Sequence, residues 1–101
     1  MTKEEAKKQK ICYLDNWIFG SQTSYGAPEC GRIGGEVYNH PKHKDGTYVT
    51  LSQPKSFNPS LEILTNISGN KYFLGEPLKE YNDQFSNARE RMIKILKDNY
   101  L

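Results

Sequence analysis

Ser86-Asn-Ala-Arg-Glu-Arg-Met-Ile-Lys-Ile-Leu-Lys-Asp-Asn99 is the stretch on which the fold turns. Ala88, Met92, Ile95 and Leu96 recur at helical spacing, and Phe85 and Tyr100 extend the stripe at either end. Ser86 or Asn87 supplies a residue type that caps a helix start. The pattern predicts one amphipathic helix over about residues 86–99, and such a helix needs an apolar surface to lie on. The residues before it alternate with a period of two, as half-buried strands do. Together they predict an α+β fold: a small antiparallel sheet of about five strands packed with one long C-terminal helix.

Reading back from the helix, Leu78 to Gln84 is expected to hold one helical turn, and Gly75-Glu-Pro77 ends a strand over Lys71 to Leu74. Ser68-Gly-Asn70 is a hairpin turn. Leu61 to Ile67 alternates before it, with Leu61, Ile63 and Ile67 expected to face inward. Gln53 to Pro59, with two prolines, reads as a loop. Thr47 to Ser52 alternates, with Val49 and Leu51 on one side, and Asp45-Gly46 before it is a strong turn signal. Arg32 to Tyr38 is a strand whose Gly34-Gly35 suggests a bulge or a close backbone approach. Gly20 to Gly31 is a long loop without periodicity, of the kind that often carries function. Ile11 to Phe19 opens the sheet, with Ile11, Tyr13, Trp17 and Phe19 expected on one face, and Trp17, the single Trp, as a core anchor. Residues 1–10 are expected to form a flexible arm or a frayed helical turn, with Thr2 and Glu5 at capping-box spacing. Residues 11–101 form a single domain, as 101 residues allow.

The charge balance narrows the partners. The net charge of +2 resides in the first ten residues, which carry four Lys and two Glu, and the rest of the chain is balanced. Duplex nucleic acid demands a clustered basic footprint, so a nucleic-acid partner is not expected. Seven of the twelve aromatic residues are Tyr, a side chain favoured at half-wet pockets and interfaces. Cys12 and Cys30 are read as reduced thiols of a cytoplasmic protein, because the polar start of the chain lacks a signal-peptide apolar region. No apolar run approaches the ~20 residues that span a bilayer, so no membrane partner is expected.

The motifs that carry chemistry are sparse. Gly26, Gly31, Gly34 and Gly35 make neither a Walker loop nor a dinucleotide fingerprint. His40 and His43 fall as His-x-x-His, but Pro41 breaks a helix that would align them, so a metal site is not expected. No nucleophile–base arrangement or carboxylate pair is visible, which argues against an enzyme. Arg89 breaks the pattern of the helix by lying on or beside its apolar stripe, with Arg91 at the other edge. An Arg can snorkel there. Alternatively, two Arg near a helix start can bind a phosphate. Tyr72 and Phe73, with Tyr48 and Trp17, offer core packing or a stacking surface for a base.

Three segments carry a resemblance. They are Gly35-Glu-Val-Tyr-Asn-His-Pro41 with Asp45-Gly-Thr-Tyr-Val-Thr-Leu-Ser52, then Thr65-Asn-Ile-Ser-Gly-Asn-Lys-Tyr-Phe-Leu-Gly-Glu-Pro77, and Tyr81 to Met92 with Phe85-Ser-Asn-Ala-Arg-Glu-Arg91. The chain resembles the first type of phage Thoeris anti-defence sponges over roughly residues 11–97. It departs from that pattern at Ser86, where Pro is expected, and in the Gly20–Gly31 loop. The resemblance implies a non-enzymatic protein of the host bacterial cytoplasm. Such a protein sequesters a cyclic nucleotide immune signal, a glycocyclic ADP-ribose and in some members cyclic oligonucleotides, without cleaving it. It also implies a homo-oligomer, dimer or hexamer, with ligand held between protomers. The candidate ligand-binding residues are Arg89, Arg91, Tyr72, Asn70, Phe73 and Thr65. No catalytic residue, metal or cofactor is expected. A small phage inhibitor that blocks a host nuclease or CRISPR effector fits the Tyr-rich surface equally well, and a nucleic-acid-binding module using the Lys arm and the helix is the third reading.

Overall fold

The computed structural model describes residues 2–19 and 33–101. The Gly20–Gly31 loop, Cys30 and Arg32 lie outside the described residues. The fold is α+β: a six-stranded, mostly antiparallel sheet with the C-terminal helix packed against it. The elements are α1 (Lys3–Lys8), β1 (Tyr13–Phe19), β2 (Ile33–Tyr38), β3 (Thr47–Thr50), β4 (Pro54–Asn58), β5 (Ile63–Asn66), β6 (Lys71–Leu74), α2 (Lys79–Gln84) and α3 (Ala88–Tyr100).

The strand order is β3-β2-β1-β6-β5-β4. Two antiparallel meanders, β1-β2-β3 and β4-β5-β6, therefore stand side by side, joined where β1 runs parallel to β6 with Tyr13 opposite Phe73 and Leu14 opposite Leu74. The sixth strand is the segment expected as a loop. Pro54 begins β4, a position where a missing N–H is tolerated, and Phe57 on the same strand is buried.

β3 and β4 end the order at opposite sides, yet only residues 51–53 join them. Six flat strands would set their outer strands roughly 24 Å apart, whereas the chain from Thr50 to Pro54 reaches at most about 14 Å. The sheet must therefore curl until its two edges approach. Hydrogen bonds on both sides of the corner agree: Leu51 N–H donates to the Ile33 carbonyl (2.8 Å) and Ile67 N–H to the Gln53 carbonyl (2.9 Å). Inside the curl lie Leu14, Trp17, Val37, Leu51, Phe57, Leu64, Tyr72 and Leu74, against Ala88, Met92 and Leu96 of α3. Full burial of such side chains stabilises by roughly 1.5–3 kcal/mol each.

Two expectations about strand faces change. In β1, Tyr13 was expected to share a face with Trp17, but Trp17 joins Leu14 in the inner core while Tyr13 packs on the outer face. The register shifts between Asp15 and Ile18, with Asn16 in the left-handed region (φ 48°), so the period of two slips by one. In β5 the inward set is Leu64 and Asn66. Leu61 is 42% and Ile67 59% exposed, because the strand spans only Ile63–Asn66 and both lie in the flanking turns. Gly35 fits the expected close approach, since a side chain there would collide with the backbone of Asp15 and Trp17.

The N-terminal segment forms the short helix α1, the helical turn that was one of its two expected states. Thr2 and Glu5 form the capping box in both directions, and Ala6 is buried against Tyr13 and Phe73 on the outer face. In α3, Asn87 is the cap residue, but in the left-handed region and without a side-chain bond; the Asn82 side chain accepts from Ala88 N–H instead (3.2 Å). Ala88, Met92 and Leu96 are buried as expected, whereas Ile95 and Phe85 are exposed. Among the described residues, no helix is long and apolar enough to cross a membrane.

Candidate functional site

The six candidate residues divide among three depressions and one exposed position. Arg89 and Phe73 line a hollow of about 230 Å³ between α1 and the start of α3, shared with Lys3, Glu62 and Gly75. Four of the five N–H donors of Arg89 are engaged there. Its guanidinium donates to both Glu62 carboxylate oxygens (3.0 and 3.3 Å) and to the Leu74 and Gly75 carbonyls (2.7 and 3.1 Å), and lies 5.9 Å from the Phe73 ring centre. The planar fork fits a carboxylate plus two strand-end carbonyls, and with its charge paired it has little left for a phosphate. Arg91 is exposed on α3. Thr65 lies on the outer face opposite Lys71, in a shallow depression of about 590 Å³ bordered by Ser56, Pro59 and Leu61.

Tyr72 and Asn70 belong to a different place, a cleft of about 280 Å³ at the corner where β3 turns into β4. Val49, Thr50, Leu51 and Ser52 form one wall, Asn66, Ser68, Asn70 and Tyr72 the other, and His40, Lys42 and His43 stand at the rim. The curl of the sheet creates this cleft. The β3–β4 corner faces the β5–β6 turn, and Ser52 and Ser68 touch across it through their hydroxyls (3.3 Å).

The local sequence explains each part. Ser68-Gly69 makes the turn, with Gly69 at φ 88° and its N–H on the Asn66 carbonyl (2.9 Å). Asn66 closes the same turn with its side chain: Oδ1 accepts from Asn70 N–H at 3.0 Å. On the other side, Asp45 Oδ1 accepts from Asn39 N–H (2.9 Å), and His40 Nδ1 accepts from Lys42 N–H (2.9 Å). These bonds set the His40 ring 6.1 Å from Tyr72 at 30°, and 4.6 Å from His43.

The electrostatics of the cleft are one-sided. Among the described residues, its lining holds one ammonium, two imidazoles, hydroxyls and amides, and no carboxylate. Burial and the neighbouring His43 and Lys42 charges lower the His40 pKa. The Tyr72 phenol is pushed up by burial, with the Cys12 thiol adding to this and the Asn70 side chain opposing it. Cys12 is a free thiol whose pKa burial raises to about 11, so it stays protonated and unreactive at neutral pH. Among the described residues, no three His, Cys, Asp or Glu side chains gather in a way that would hold a metal ion; His40 and His43 stand as a pair.

The sequence pointed to Tyr72 and Asn70 but missed Asn66, His40, Lys42 and Ser52 as their neighbours. His40 and Asn66 stand inside the quoted motif segments, so their sequence signal existed, but nothing local brings residues 40–43 to residues 66–72. Comparison with protein-family models, with curated proteins and with solved structures returned no match to this chain.

Proposed function

We propose that the chain is a non-catalytic binding protein for a small phosphate-bearing nucleotide, held in the corner cleft between His40, Lys42 and Tyr72. The observation that carries this reading is the composition of the cleft: an ammonium and hydrogen-bond donors beside aromatic rings, with no carboxylate among the described lining residues to repel an anion. Lys42 offers charge to a phosphate and the imidazoles offer ring nitrogens for hydrogen bonds, while the His40 ring, lying beside the buried Tyr72, offers a π-face to a base. The resemblance read in the sequence supplies the ligand's identity, a cyclic nucleotide immune signal such as a glycocyclic ADP-ribose, and the biological role of sequestering it intact. The homo-oligomer implied by that resemblance belongs to the same proposal, and exposed Leu61, Ile67 and Phe85 are apolar surface that a second copy would cover.

The test is retention followed by release. The purified protein is incubated with a panel of cyclic and linear adenine nucleotides, washed, and heated. The expected result is recovery of one panel member unchanged, with retention weakened about tenfold in Lys42→Ala and in Tyr72→Ala. A chemically altered ligand would make the protein an enzyme, and retention of no member would end the nucleotide reading. Retention that survives both substitutions would move the site out of the cleft.

A further inference from the structure

Asn66 is the one buried polar residue of the described core, 3% exposed, and it stands on the wall of the corner cleft. Its orientation is determined by chemistry. The Asn70 backbone N–H can only donate, so the atom 3.0 Å away must be the side-chain oxygen. The amide nitrogen Nδ2 then points the other way, and it makes no hydrogen bond within the described residues. Among those residues, no side-chain nitrogen or oxygen is both sealed from solvent and unpartnered. Nδ2 must therefore be reached from outside the core, and the cleft is the space that Asn66 lines.

An amide donor held in an otherwise buried side chain is costly to leave unmet and selective once met, because a partner lacking an acceptor leaves it stranded. We propose that Asn66 Nδ2 is the specificity donor of the cleft, giving a hydrogen bond to an acceptor atom of the bound ligand. This rests on the cleft being the nucleotide site. The neighbouring groups suit the role. The Tyr72 ring and the Ser68 hydroxyl share its wall, the Ser52 hydroxyl faces it from the other side, and the turn bond through Oδ1 locks the Asn66 side chain before any ligand arrives. A preset donor costs little to order on binding. The acceptor is either a phosphate oxygen or a ring nitrogen of the base.

Asn66→Asp separates donor from fold, because a carboxylate still accepts from Asn70 N–H but has no N–H to give. Pyrophosphate and adenosine are titrated separately into wild type, Asn66→Asp and Lys42→Ala. The expected outcome is roughly tenfold or greater weakening by Asn66→Asp for one of the two probes. For adenosine, which is neutral, that weakening identifies the base as the acceptor; for pyrophosphate, which the new carboxylate also repels, the acceptor is a phosphate oxygen only where the wild-type Asn66 side-chain amide resonances shift at saturation, and unshifted resonances overturn the donor role. Undiminished binding of both probes by Asn66→Asp, with Lys42→Ala impaired, overturns the donor role and leaves the cleft as the site. Failure of wild type to bind either probe overturns both. If Asn66→Asp does not fold, the wild-type protein decides. The Asn66 side-chain amide proton resonances shift and exchange more slowly with solvent at saturation with the bound probe, and resonances that stay unchanged overturn the proposal.

Discussion

The two meanders meet at two seams, and the seams are built from opposite materials. At the first, β1 runs beside β6 and the contact is dry and dense. Phe73 N–H bonds Cys12 carbonyl (2.9 Å), Gly75 N–H bonds Leu14 carbonyl (2.8 Å), Leu78 N–H bonds Trp17 carbonyl (2.9 Å), and the fully buried Trp17 donates its indole N–H to Gly75 carbonyl (2.9 Å). Arg89 closes the end of this seam by binding Glu62 and the last two carbonyls of the β6 end. At the second seam, among the described residues, the β3–β4 corner and the β5–β6 turn meet only through the Ile67 N–H to Gln53 carbonyl bond and the Ser52–Ser68 hydroxyl contact, and the polar cleft opens beside them. The lesson is that the conspicuous Arg serves the closed seam, while the open one is lined by residues that look ordinary in the sequence. A seam filled with backbone hydrogen bonds has no groups to spare, whereas one that is sparsely bonded leaves side-chain donors facing a cleft.

The sharpest way to break this contrast is to wedge the closed seam open. A side chain at Gly75 would collide with the Leu14 carbonyl and approach Asp15 Oδ1 to 2.8 Å. Gly75→Ala is expected to destabilise by about 3 kcal/mol, read as a lower urea midpoint at unchanged slope. A midpoint within error of wild type would mean the seam has slack. Next in size, Arg89→Ala is expected to cost about 2 kcal/mol, since it strands two carbonyls and a carboxylate that are partly screened by solvent at 24–26% side-chain exposure. Ligand retention by the folded variant should stay within about twofold of wild type. Loss of retention at unchanged stability would reverse the comparison and return the site to Arg89.

The smallest effect is expected at the open seam. His40 has a lowered pKa, caused first by burial and then by His43 and Lys42. An unfolded chain takes up that proton more readily, so this contribution to stability is present above about pH 6.5 and is lost as pH falls through the lower folded value. Urea midpoints at pH 7.5 and 5.5 should differ less in His40→Gln than in wild type. An equal difference would mean that His40 is not held in the cleft wall. Bound phosphate should reduce the wild-type loss, because it favours the protonated ring.

Much of the secondary structure was readable from local chemistry. Thr2 with Glu5, Asp45-Gly46 and Ser68-Gly-Asn70 act within a few residues, and so their turns and cap formed where expected. The helix and the α+β class followed from periodicity. The errors came where a long-range feature shifted the period. The Asn16 bulge moved Trp17 to the inner face, and pairing with β5 made a strand of a proline-bearing segment that looks like a loop. Arg89 was recognisable as a charge on the buried edge of the helix, but its partner Glu62 is 27 residues away and nothing local names it.

The sequence by itself determined the helix, most of the strands, the turns and the presence of an Arg that the core had to accommodate, because each depends on neighbours along the chain. Only the tertiary structure decided which side of Tyr72 faces what, that Arg89 is paired, and that residues 40–43 meet residues 66–72. Those outcomes depend on how far the sheet curls. Three residues must join its opposite edges, and it is that closure which leaves one seam densely bonded and the other a polar cleft.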